Sequence, residues 1–175
     1  MEKPLLIAIG GFSGSGKTSA AEALQKRLPN AEHLDSDRVR KALFGVAETT
    51  RLPPEAYTTE ATRRVISEME RRMALNIAEG KNVIVSALFS PAVSRHEVEK
   101  LANKTGARFV GIWLGADLNV LLSRVKKRTG GLSDANAEIL KAQAEAENGT
   151  IAWPLVDAAL APEDVIAAAL RIVGE

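Results

Sequence analysis

Gly11-Phe12-Ser13-Gly14-Ser15-Gly16-Lys17-Thr18 is the stretch on which the reading of this chain turns. It matches the spacing G-x-x-x-x-G-K-[ST] in full, and its flanks are those such a loop requires. Before it, Leu5-Leu6-Ile7-Ala8-Ile9 is an apolar run short enough for a buried parallel strand. After it, Ser19 to Leu28 is rich in alanine and leucine and suits a helix. Glycines let the backbone turn so tightly that successive N–H groups point inward at a polyphosphate. The following helix adds the positive end of its dipole and its unpaired amides. Gly11, Ser13, Gly14, Ser15, Gly16, Lys17, Thr18 and Ser19 are therefore expected to bind a nucleoside triphosphate. Lys17 is placed to reach the β- and γ-phosphates, and the Thr18 hydroxyl to ligate Mg²⁺.

Working outward, strand and helix patterns alternate, which predicts an α/β fold on a mostly parallel sheet of about five strands. Ala31 to Asp35 reads as a second strand, running into a short helix from Asp37 to Leu43 capped by Ser36 or Asp35. Gly45 to Tyr57, with Pro53-Pro54, shows no periodicity. A long helix follows from about Thr59 to Glu79, with Ala61, Val65, Met69, Met73 and Ile77 on one stripe and Gly80 as its stop. Val83 to Ala87 is a strand; Ser90-Pro91 and the capping box Ser94-x-x-Glu97 both signal the start of the next helix, which ends near Gly106. Phe109 to Leu114 is a further strand, and Asp117 caps the helix beyond it. Ser133 is the expected cap of a helix to about Glu147, before a last strand near 155–157 and a closing helix from Pro162 to Val173. Trp113 and Trp153 are assigned to the core, His33 to packing at a strand end and His96 to a helix surface.

One domain over 1–175 is the default at this length. Charges almost cancel, with 23 Lys+Arg against 22 Asp+Glu, which argues against duplex nucleic acid as the main ligand. With no cysteine there are no disulfides, thiolate metal sites or thiol nucleophiles. The apolar run after Lys3 is too short for a leader and passes straight into the loop, and no stretch has membrane-spanning length, so a cytoplasmic protein is expected. Monomer and dimer stay equally open.

In a parallel sheet, ligands gather at the carboxyl ends of the strands. There the second strand delivers Asp35-Ser36-Asp37 and, one turn on, Arg40. A carboxylate facing the γ-phosphate can orient or deprotonate an acceptor hydroxyl. The third strand ends in Ser86, where many relatives of this fold carry an acidic metal-side residue, so Asp35 or Asp37 is expected to supply that charge. Arg124 and Arg128 are four apart and read as sharing one helix face at the lip of the site. Gly130-Gly131 after them suits a hinged lid over about 124–133. Asn103-Lys104-Thr105-Gly106 lacks the final aspartate of a guanine-binding N-K-x-D motif.

Beyond these residue-level readings, the chain resembles the small P-loop kinases of metabolites and nucleic-acid ends, such as gluconate kinase, adenylylsulfate kinase and the polynucleotide 5′-kinase domain. It is most similar to bacterial kinases found alone or fused to an aminoglycoside-phosphotransferase-like domain. The likeness is carried by Leu34 to Val46, Arg51 to Tyr57, Gly111 to Leu114 and Ser133-Asp134-Ala135. The resemblance implies a three-layer P-loop kinase fold and an ATP- and Mg²⁺-dependent kinase acting on a small-molecule hydroxyl or phosphate. It implies Asp37 as catalytic carboxylate, Arg40 and Arg51 toward the acceptor and Arg128 at the transferring phosphate. It further implies that Arg124 borders the adenine and that Thr18 and Asp35 lie on the metal. A nucleotide-binding regulator and a polynucleotide 5′-hydroxyl kinase are the alternatives.

Overall fold

The computed structural model describes residues 3–128 and 132–174. Five parallel strands form one sheet: β1 (Leu5–Gly10), β2 (Ala31–Asp35), β3 (Asn82–Ser86), β4 (Arg108–Gly115) and β5 (Leu155–Asp157), in the order β2-β3-β1-β4-β5. All six residues of β1 are buried because it is the central strand and both its faces are covered. Alternation along it divides the core in two. Leu5, Ile7 and Ile9 face α1 (Lys17–Gln25) and a C-terminal helix over Pro162–Val173, while Leu6 and Ala8 face the helices that connect β2 to β3 and β3 to β4. This three-layer arrangement is the expected one.

Between β1 and β2 runs α1, and α2 (Ser36–Leu43) follows β2 directly. The long α3 (Thr59–Ala78) buries Ala61, Val65, Met69, Met73 and Ile77, the stripe read from the sequence. At about 1.5–3 kcal/mol for each large apolar side chain withdrawn from water, that face holds the helix down. The remaining helices are α4 (Ala92–Thr105), α5 (Leu118–Lys127), α6 (Ala137–Glu145) and α7 (Pro162–Val173). Both tryptophans are core residues: Trp113 meets Phe12 of the phosphate loop edge-to-face at 5.5 Å, and Trp153 packs on Phe89 and Phe109.

Several boundaries differ from the sequence expectation. Helix α1 starts at Lys17, inside the loop motif, and stops at Gln25. Strand β3 ends at Ser86. The capping box at Ser94 does not form: α4 begins two residues earlier, after Pro91, and the Ser94 hydroxyl donates to the Pro91 carbonyl instead. Asn136, not Ser133, caps α6 by accepting the Ile139 amide. Part of the segment before α3 is a short 3-10 turn, Pro54–Tyr57. The glycine pair expected to hinge a lid lies outside the described residues.

Asp134, just past those residues, ties the stretch before Asn136 to the segment ahead of α3. Its carboxylate accepts from the Leu52 amide at 2.9 Å and the Tyr57 hydroxyl at 2.6 Å, and pairs with Lys41 at 3.3 Å. Burial works to raise its pKa, but these three donors outweigh it and hold the carboxyl below the ordinary value. The stabilisation is therefore present above the unfolded carboxyl pKa and is lost as pH falls through the lower, folded one. Lys41 is only 1% exposed and otherwise bonds the Glu48 carbonyl. Removing the acid strands a buried ammonium, whereas removing the lysine leaves Asp134 two donors. Asp134→Asn is expected to cost about 3–5 kcal/mol and Lys41→Met below about 2 kcal/mol, as read by urea unfolding; equal costs would refute the asymmetry.

Candidate functional site

Sheet register brings the chemistry together. Ile9 of β1 pairs with Ser86 of β3, and Ser86 with Asp35 of β2, so three strands end side by side where the phosphate loop leaves β1. Asp35 is 5% exposed and uses both oxygens. Oδ1 accepts the Asp37 and Arg38 amides, capping α2; this assigns the cap to Asp35 and leaves Ser36 no such part. Oδ2 accepts the Thr18 hydroxyl at 2.8 Å and the Ser86 hydroxyl at 2.7 Å. Because Ser86 donates to Asp35, it accepts from His33, whose Nε2 lies 2.8 Å away and must carry the ring proton. His33 does more than pack: it orients Ser86, and burial pushes its pKa down, keeping the ring neutral. Among the described residues its Nδ1 has no partner.

The loop is shaped by two glycines in particular. Gly16 sits at φ 86° as the residue before α1, and Gly14 at φ 84° presses on α5, where a Cβ would stand 3.0 Å from both the Leu121 carbonyl and Val125. Lys17 Nζ crosses the loop to the Phe12 carbonyl at 3.1 Å. Burial pulls its pKa down to about 8, against the opposing pull of Asp37 and Asp35 and with Arg128 adding to the depression. The Gly11 amide is already taken by the Leu88 carbonyl and Gly11 does not line the cavity, so its part is to shape the loop.

A cavity of about 600 Å³ opens over these residues. Lining it are Ser13, Gly14, Gly16, Lys17, Thr18, Ser19, Asp35, Asp37, Arg40, Arg124 and Arg128, so nearly every residue expected at the site is there. Burial, and then the Asp35 carboxylate, raise the pKa of Asp37 above the ordinary value, with the Ser133 hydroxyl, Lys17 and Arg40 opposing. A smaller cavity of about 310 Å³ continues from the loop between α1, Arg124, Ala158 and Leu160, and it takes in Ser15. Arg124 closes its edge by donating to the Ala158 carbonyl at 2.6 Å.

Three expectations change. Arg51 is exposed and lines neither cavity; the neighbouring Leu52 turns inward and gives its amide to Asp134. Arg40 is a strut as well as a wall: it donates to the Ala56 carbonyl and the Thr62 hydroxyl and lies 4.9 Å from the centre of the Tyr57 ring. Arg128 is not on the helical face of Arg124. It is the residue after α5, with extended backbone, and its guanidinium donates to the Ser133 and Ala135 carbonyls. Both arginines still reach the cavity. Tyr57, in a stretch that carries the family likeness, lines the cavity; sequence reading gave no place at the site to Asp134 or Gln143, which depend on contacts between segments tens of residues apart.

Comparison with known proteins agrees with this geometry. A family model described as "AAA domain" matches residues 6–148. An adenylyl-sulfate kinase of Myxococcus xanthus is 36% identical over 122 residues, covering 68% of this chain but only 62% of that protein. A probable adenylyl-sulfate kinase of Archaeoglobus fulgidus is 35% identical over 130 residues, covering 70% and 74%. In fold, the chain is similar to the Mycobacterium tuberculosis APS kinase CysC solved with AMPPNP and APS. The TM-score is 0.74 over the whole of both chains at 17% identity. With the phosphate loop, the sheet order and the family match in agreement, the chain belongs to this AAA-domain family of P-loop kinases.

Proposed function

We propose that the protein is an ATP-dependent phosphotransferase that moves the γ-phosphoryl group to a hydroxyl of a small molecule. The observation that carries this reading is the meeting, in one cavity, of the loop with its Lys17, the buried carboxylate of Asp37 and the guanidinium of Arg128. The reaction needs little covalent help from the protein. Positioning and charge stabilisation supply most of the catalysis.

The smaller cavity accepts the nucleobase beside Arg124 and Ala158, which sets the triphosphate along the loop with its terminal phosphate toward Asp37. Lys17 neutralises the β- and γ-phosphates, and Arg128 the charge that develops on the equatorial oxygens. Asp37 accepts the acceptor's hydroxyl proton as the oxygen attacks phosphorus and the bond to the β-phosphate oxygen breaks, leaving ADP. A raised pKa brings this base nearer to neutrality, where general bases work best.

The residues present fit a magnesium ion. Thr18 gives its proton to Asp35, so its lone pairs are free to face a hard cation, and the Asp35 carboxylate stands directly behind. Thr18 would hold Mg²⁺ together with the nucleotide's own phosphates, with Asp35 behind it orienting the Thr18 hydroxyl and adding negative charge, and the ion would supply further neutralisation of phosphate charge. Ser86 is thereby accounted for: the carboxylate comes from the neighbouring strand and Ser86 donates to it. That supports a catalytic protein over a regulator without catalysis.

Incubated with ATP, Mg²⁺ and a broad pool of hydroxylated metabolites, the protein is expected to give ADP and one new phosphorylated mass. With the acceptor so found, Asp37→Asn should lower kcat about 10²–10⁴-fold while the KM for ATP stays within a few-fold; a small loss would exclude Asp37 as the base. Nucleotide affinity should also fall with rising pH. The free protein's Lys17 loses its proton near pH 8, and bound phosphate raises that pKa, so binding takes up a proton. ADP titrations without divalent ions should show affinity dropping up to about tenfold per pH unit above 8, and a flat profile would contradict this.

A further inference from the structure

Helix α6 lies across the top of the phosphate loop, held by Leu140, which is fully buried against Leu121, Val125 and the Phe12 ring. Gln143 is one turn beyond Leu140 and so shares its face. Its Oε1 accepts the Ser13 amide at 3.0 Å, across 130 residues of chain. A backbone N–H only donates, so the atom facing it is the carboxamide oxygen, and the other end of the group is a donor with two protons. Among the described residues those protons have no protein acceptor. Gln143 also lines the large cavity with Lys17, Asp37 and Arg128.

One peptide unit is thus gripped from both sides. Lys17 Nζ bonds the carbonyl of Phe12, and Gln143 bonds the N–H of Ser13 that belongs to the same plane. The nucleobase cavity opens on the other flank of the loop and excludes Ser13 and Gln143. A triphosphate laid along the loop therefore brings only its last phosphate toward this corner.

We infer, building on the phosphotransferase reading above, that Gln143 Nε2 donates a hydrogen bond to the γ-phosphoryl group, and that Gln143 thereby reports the terminal phosphate to α6. ADP lacks the acceptor for this bond. Gln143 is uncharged, so it adds a donor to the terminal phosphate without adding another cation beside Lys17 and Arg128. Through Leu140 and the stretch leading back to Asp134, the state of the phosphate is felt by the segment that Asp134 ties to Tyr57.

The test is titration calorimetry of the full chain with ADP and with a non-hydrolysable ATP analogue, both with Mg²⁺. Gln143→Glu keeps an oxygen for Ser13 but turns the second atom from donor to anion. Gln143→Met removes both ends. The ratio of analogue to ADP affinity is expected to fall about tenfold or more in Gln143→Glu, and by a smaller factor in Gln143→Met. ADP affinity in Gln143→Glu should stay within about threefold and its urea midpoint should hold. An unchanged ratio overturns the inference, as does equal weakening of both nucleotides, which would make Gln143 a brace for the loop alone. If the wild-type chain bound neither nucleotide, the phosphotransferase reading itself would fail, and this inference with it.

Discussion

The Asp35 carboxylate is the interaction from which the site is built. A buried anion is costly unless its lone pairs are filled, and here two amides and two hydroxyls fill them. Together these bonds fix three elements. The amides start α2 and so aim Asp37 and Arg40; the Thr18 hydroxyl holds the first turn of α1, and Ser86 secures the end of β3. Because β2, β3 and β1 end in register, one side chain can reach all of these at once.

Around that anion, the cations are distributed by role. Lys17 and Arg128 face the cavity with part of their bonding satisfied by backbone carbonyls, which orders them before any ligand arrives. Such preorganisation lowers the cost of arranging donors at the moment of reaction. Arg95 shows the same device away from the cavity. It is buried, pairs with no carboxylate among the described residues, and is satisfied by carbonyls of Phe89, Ser90, Asn148 and Thr150. It fixes the exit of β3, whose Leu88 carbonyl in turn holds Gly11.

Much of this was legible in the sequence because it is local. The loop, the Asp35-Ser36-Asp37 run and the α3 stripe depend on spacing along a few turns of chain, and the structure places them as read. What failed at element ends has a local cause too: Ser94 and Ser133 have capping chemistry, but Pro91, the other start signal read from the sequence, and Asn136 set the starts of those helices. Arg51 and Leu52 differ by one residue, and only the packing of Leu52 and the pull of Asp134 on its amide decide which turns inward. Tyr57 and Asp134 stand in stretches that carry the family likeness, but their bond to each other is not legible there, and Gln143 carries no signal of its own. A glutamine in a polar helix looks like any other until the fold brings it over the loop.

The edge-to-face contact between Phe12 and Trp113 puts an indole against the loop itself, and Gly10 lies beneath the indole with no room for a side chain. A movement of Phe12 alters the surroundings of that chromophore, while Trp153 is tethered through its Nε1 to Glu99. The chain thus contains its own optical gauge of the loop, one ring that senses and one that stays as reference, and it needs no dye to be read.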